Sequence, residues 1–75
     1  MCEVPRVYIE IDEELERAVN NFPKFRSMHE GYAILLEGVD ELWDSIKKNQ
    51  PIKARVEAIQ VAAMAIRFIN DCCDN

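Results

Sequence analysis

The run from Ala58 to Ile69 constrains this chain more than any other feature. Only Gln60 and Arg67 are polar within it. A helix that is apolar nearly all round must be covered on most of its sides. The chain has 75 residues, which is room for one domain. A domain of that size buries a modest share of its surface and usually needs a staple or a partner subunit. Hydrophobic residues make up 49% of the sequence, a high fraction for so short a chain. Two further helices of one chain cannot enclose the third. The sequence therefore predicts an all-α chain that assembles with itself, as a homodimer or tetramer. The simplest form is two helical hairpins around a two-fold axis, giving a four-helix-bundle-like core. Alanines at 54, 58, 62 and 65 would let helices approach closely.

Local signals set the element boundaries. Residues 1–11 read as an irregular or extended arm, in which Val7, Ile9 and Ile11 alternate with Tyr8 and Glu10 as in a short strand. A first helix is expected from Asp12 to Asn21, with Asp12 as N-cap and Glu13, Glu14 and Glu16 at the positive end of the helix dipole. Leu15, Val19 and Phe22 give it an apolar stripe, and Pro23 ends it. Ser27, followed three residues later by Glu30, has the form of a capping box. It places the start of a second helix near Met28, running to about Lys48. That helix has apolar residues at Tyr32, Leu35, Leu36, Val39, Leu42, Trp43 and Ile46. Asn49 and Gln50 form a turn, and Pro51 suits the first position of a third helix reaching about Asp71. So short a connection makes the second and third helices antiparallel neighbours.

Charge and cysteines narrow the class. The net charge is −5, which argues against a nucleic-acid polymer as partner. A phosphorylated small molecule remains accessible through a divalent cation that neutralises both sides. Cys2, Cys72 and Cys73 are odd in number and lie near the two ends, which is not a disulfide framework. They fit a reducing compartment. The opening residues include Glu3, Pro5 and Arg6, unlike a secretory leader. The 58–69 stretch is too short to span a bilayer. The expectation is a cytoplasmic protein with no membrane partner.

Carboxylates gather on the second helix. With about 100° per residue, Glu30, Glu37, Asp40, Glu41 and Asp44 fall within one sector. Glu37, Glu41 and Asp44 are four and three residues apart, so their like charges repel. A divalent cation would relieve that repulsion, and magnesium prefers oxygen ligands. The third helix offers Glu57 and Gln60 on one face, with Arg67 and Asp71 further along. The plainer reading is a solvated acidic face opposite an apolar one. His29, alone at a helix start, reads most simply as a surface or capping residue. Trp43 reads first as core, and Arg67 as the helical partner of Asp71.

The strings HEGYAILLEGVDELWDSIK at 29–47 and EAIQVAAMAIRFI at 57–69 resemble MazG-like proteins, a family of all-α nucleoside triphosphate pyrophosphohydrolases. The two strings cover nearly half the chain. The family pattern is E-E-x-x-E on one helix and E-x-x-D on the next. Glu37, Glu41 and Glu57 match it. Gly38 stands where the family has its second Glu, usually a metal ligand, and Gln60 stands where it has Asp. The resemblance implies magnesium-dependent hydrolysis, with manganese as a substitute, of a (deoxy)nucleoside triphosphate to monophosphate and pyrophosphate. It implies a metal set of Glu37, Glu41, Glu57, Asp44 and Gln60, with Asp40 as a further substitute. Glu37 or Glu41 would be the catalytic base. Lys24, Arg26 and Lys53 would steady phosphates, and Tyr32, Trp43 or Phe25 would stack on the base. Gly38 and Gln60 leave fewer charges for the metal. The alternatives are a weak enzyme and an inactive relative that serves as an oligomeric scaffold or a nucleotide- or metal-binding module.

Overall fold

A computed structural model describes residues 5–74. It contains three α-helices: α1, Arg6–Asn21; α2, Met28–Lys47; and α3, Pro51–Phe68, continued by a π-helical turn at Ile69–Cys73. There is no strand among the described residues. None of these helices is long and apolar enough to cross a membrane. Helix α3 is central and packs against both α2 and α1. Helices α2 and α3 are antiparallel. Helix α1 runs parallel to α3, because Glu10 meets Arg55 at one end while Pro23 meets Arg67 at the other. The result is a single layer of helices, 36 × 33 × 22 Å in extent.

The N-terminal segment departs from the sequence expectation. Residues 1–4 and Cys2 with them lie outside the described residues. From Arg6 onward the chain is helical, so α1 begins ahead of Asp12 rather than at it. Pro5 precedes the first turn with φ −59° and accepts the Tyr8 N–H at 3.0 Å. The alternation of Val7, Ile9 and Ile11 has a second reading. Val7, Ile11, Leu15 and Ala18 follow helical spacing and form the more buried side of α1, while Tyr8 and Ile9 are exposed. A pattern of period two over five residues also satisfies i, i+4, and packing on α3 selects the helix. Glu13, Glu14 and Glu16 therefore sit in the middle of α1, away from its dipole end.

The other boundaries follow their local chemistry. Ser27 Oγ accepts the Glu30 N–H at 3.1 Å and caps α2. The Glu30 carboxylate accepts the Arg26 N–H at 2.6 Å, one residue ahead of the usual capping-box donor. At the far end Asn49 has φ 54°. Asn49 N–H donates to Ile46 O at 3.1 Å and Gln50 N–H to Ser45 O at 3.0 Å. These are the paired bonds of a Schellman motif, with Asn in the left-handed position. Pro51 then opens α3 at its first turn.

Small residues determine how α2 meets α3. Gly31, Gly38 and Ser45 are seven apart, so they line one side of α2. Gly31 and Ser45 are buried and Gly38 is half-buried. A Cβ at Gly31 would lie 2.5 Å from Phe68 Cδ2, and one at Gly38 would lie 3.3 Å from Val61 Cγ2. Gly31 therefore leaves room for the Phe68 ring. The buried apolar side chains among the described residues are Ala18, Phe25 and Ala63, so the layer has a thin core.

The larger apolar side chains of α2 and α3 remain open. Tyr32, Leu36, Val39 and Trp43 are exposed on α2, as are Ile66 on α3 and Ile69 at the start of the π-helical turn. On α2 these residues flank the seam against α3 on one side, and Glu37 and Glu41 flank it on the other. The layer thus has an apolar back and a carboxylate-bearing front. Gly31→Ala is expected to lower stability by about 1–3 kcal/mol through overpacking against Phe68. Gly38→Ala is expected to be nearly neutral, because a gain of about 1 kcal/mol in helix propensity offsets milder crowding. Urea denaturation of both variants checks the order; equal losses would refute it.

Candidate functional site

The front of the layer carries a cleft of about 720 Å³, bounded by α1, the 22–26 segment, α2 and α3. Its α2 wall presents Glu30, Glu37 and Glu41, and α3 supplies Gln60, Met64 and Arg67. Lys24 and Arg26 stand on the 22–26 segment, and Arg17 reaches in from α1. Glu30, Glu37 and Glu41 reach one wall because four- and seven-residue steps keep them on one side of α2. Gln60, Met64 and Arg67 do the same on α3.

Below the cleft is a second hollow of about 160 Å³ between α2 and α3. It is lined by Asp44, Ser45, Lys53 and Glu57, among others, and shares Glu41 with the cleft. Glu57 Oε1 is buried there without a hydrogen-bond partner. A buried carboxylate oxygen in that condition calls for a water or a cation.

The sequence-derived candidates thus divide into three groups. Glu37, Glu41, Gln60, Lys24 and Arg26 share the cleft. Asp44, Glu57 and Lys53 share the hollow with Glu41. Tyr32 and Trp43 line neither: they are 62% and 55% exposed, on the apolar side of α2. Their positions on α2 rotate away from the carboxylate wall, so the fold does not bring them to the cleft. Trp43 is not a core residue either, and Lys47 Nζ sits 5.7 Å from its ring centroid. Phe25 is buried beneath Arg67, whose Cζ lies 4.2 Å from the Phe25 ring centroid. His29 is exposed on the first turn of α2. Asp40 is exposed and lines neither cavity.

Ion pairs decide which charges are available. Arg17 is held by Glu14, with Nε 3.2 Å from Oε1. Arg26 lies 3.3 Å from Glu30 and Lys47 lies 3.4 Å from Asp44. Lys24, Glu37 and Glu41 have no side-chain ion pair among the described residues. The cleft therefore presents one uncommitted cation and two uncommitted carboxylates. Its lining also includes residues without a site role in the sequence pattern, among them Arg17, Phe22, Met64 and Arg67. Phe22, 55% exposed at the end of α1, joins the cleft through a fold contact that no spacing in the sequence marks.

The carboxylates do not form a ready-made cage. Among the described residues no three His, Cys, Asp or Glu side chains are gathered as a metal-holding group. Magnesium, however, is commonly held by one or two carboxylates with waters and substrate phosphates completing its shell. Glu41 and Glu57, on opposite sides of the hollow with one orphaned oxygen, fit that looser requirement. No protein-family model, curated protein or solved structure matches the chain.

Glu30 gives the cleft a pH dependence. The hydrogen bond from the Arg26 N–H holds its carboxyl below the ordinary range, and the Arg26 guanidinium adds to this against partial desolvation. A depressed carboxyl stabilises the fold above its unfolded value, and that contribution is lost as pH falls through the folded value. Wild type should therefore lose stability on acidification through this window more steeply than Glu30→Gln. Urea midpoints measured from pH 7 downward check this, and parallel curves would contradict it.

Proposed function

We propose that the protein is a magnesium-dependent nucleotide pyrophosphohydrolase of the MazG-like kind, hydrolysing a (deoxy)nucleoside triphosphate to monophosphate and pyrophosphate. The observation that carries this reading is the cleft, where Lys24 and Arg26 on one segment oppose Glu37, Glu41 and Gln60 on α2 and α3. Its volume falls within the range usual for small-molecule sites, about 300–1,000 Å³. Lys24 and Arg26 would meet phosphate oxygens as cationic donors. Glu41 and Glu57 would hold magnesium or manganese, with Glu37, Asp44 and Gln60 as neighbouring oxygen donors. The ion, when bound, neutralises phosphate charge and favours ionised water. Glu37 or Glu41 would take the proton of the attacking water as general base. Lys53 would balance charge at the hollow.

Assembly belongs to the same reading. The exposed apolar side chains on the back of α2 and α3 would meet those of a second copy around a two-fold axis, forming the four-helix core. The cleft faces the other way, so such a dimer leaves it open. A cytoplasmic setting suits the nucleotide substrate and the free thiols of Cys72 and Cys73.

Two observations favour a second reading. Gly38 packs with Val61 as a close-contact position, and Gln60 has no charge. A chain with these two residues can keep the fold as a scaffold or binding module without turnover.

Pyrophosphate release from a panel of ribo- and deoxyribonucleoside triphosphates, with magnesium, manganese or a chelator, separates the two. The enzyme reading expects metal-dependent release that falls about a hundredfold or more in Glu41→Gln. No release from any nucleotide by assembled protein favours the scaffold. For assembly, light scattering should give a dimer or tetramer for wild type and a smaller species for Trp43→Glu. A monomeric wild type would sink the assembly proposal.

A further inference from the structure

The 22–26 segment crosses from α1 to α2 at one end of the cleft and carries Lys24 and Arg26, the two cations proposed to meet phosphate there. It is held by α3 and the π-helical turn, through two residues. Arg67 is 5% exposed. Its Nη2 donates to Pro23 O, and its Cζ lies 4.2 Å from the Phe25 ring centroid and 6.0 Å from that of Phe22. Asp71 Oδ2 accepts the Phe25 N–H at 3.1 Å and lies 3.7 Å from Arg67 Nε. The Phe25 ring rests beside Gly31, where a Cβ would approach its Cδ2 to 3.2 Å. Lys24 and Arg26, either side of Phe25, are exposed.

We propose that Arg67 and Asp71 act together as a clasp that positions the 22–26 segment, and that Arg67 serves the site by fixing Lys24 and Arg26 opposite Glu37 and Glu41. The arrangement explains why a long cation is buried in a layer with so thin a core. Its guanidinium satisfies a loop carbonyl, covers an aromatic ring and neutralises the carboxylate that holds the next amide. Lysine has a single ammonium and no planar fork, so it cannot meet all three demands. A hydrophobic replacement would leave Asp71 without the guanidinium beside it. The segment's geometry would then no longer be set by α3.

The clasp has a direct readout, because trypsin cuts after Lys24 and Arg26 and both lie on the segment. In wild type the tethered backbone resists cleavage, and the Phe25 amide exchanges slowly with solvent. Arg67→Met and Asp71→Ala should each raise the cleavage rate at these two bonds at least tenfold and remove protection of the Phe25 amide, with helix content by circular dichroism unchanged. Arg67→Lys should fall between. Should Arg67→Met fail to fold, Asp71→Ala decides, since Asp71 lies beyond the last turn of α3. Unchanged cleavage and exchange in folded Asp71→Ala would overturn the clasp. So would loss of ligand binding in Arg67→Met with the segment still protected, which would make Arg67 a direct contact.

A kinetic arm rests on the nucleotide reading. There Asp71→Ala should raise KM for the triphosphate about tenfold with a much smaller change in kcat. The proteolysis and exchange arms decide the clasp whether or not any nucleotide is turned over, so failure of one reading is distinguishable from failure of the other.

Discussion

The close approach of α2 to α3 is the constraint on which the rest of the structure depends. Gly31, Gly38 and Ser45 give α2 a side almost without side chains, and α3 fills it with Phe68 and Val61. Because small residues occupy the seam, the bulky ones are left elsewhere. Tyr32, Leu36, Val39 and Trp43 fall to one side of it and the carboxylates Glu37 and Glu41 to the other. One packing decision therefore creates both an apolar back and a polar front. It also leaves a core that encloses few large side chains, which is why the described chain keeps so much apolar surface open.

A second consequence concerns α1. It packs along α3 rather than along α2, so a gap remains between α1 and α2 on the front. The 22–26 segment closes one end of that gap, and the cleft is what remains. The cleft is lined by charges of both signs, and its chemistry depends on which of them are already paired. Arg17 and Arg26 have carboxylate partners on their own helix or at its start, while Lys24 does not. Glu57 is held in the hollow with one oxygen unsatisfied, at a seam where desolvation makes an unpaired oxygen costly.

Particular residues show how far the sequence could be read. The capping box at Ser27, the turn at Asn49 and the first-turn position of Pro51 are local devices, each needing only a few neighbours, and all three act as their residue types require. The pairing of Arg67 with Asp71 was legible for the same reason, as a four-residue helical step. Residues 6–11 were not. Val7 and Ile11 satisfy both a strand and a helix, and only contact with α3 distinguishes them. Gly38 was legible as a gap in a motif, but its packing with Val61 was not. Phe25 was legible as an aromatic near a basic pair, but its burial beneath Arg67 at the edge of the cleft was not.

The sequence by itself determined three things: the two principal helices, the antiparallel hairpin they form, and a sector of carboxylates facing away from an apolar one. Each follows from backbone periodicity and capping, which act over a few residues. The tertiary structure alone decided which carboxylates share a cavity with Lys24 and Arg26, and that Tyr32 and Trp43 do not. It also decided that Arg67 reaches back to Pro23 and Phe25. These outcomes depend on where one helix rests against another. That is set by the fit of side chains such as Phe68 into the space left by Gly31, and no spacing along the chain encodes it.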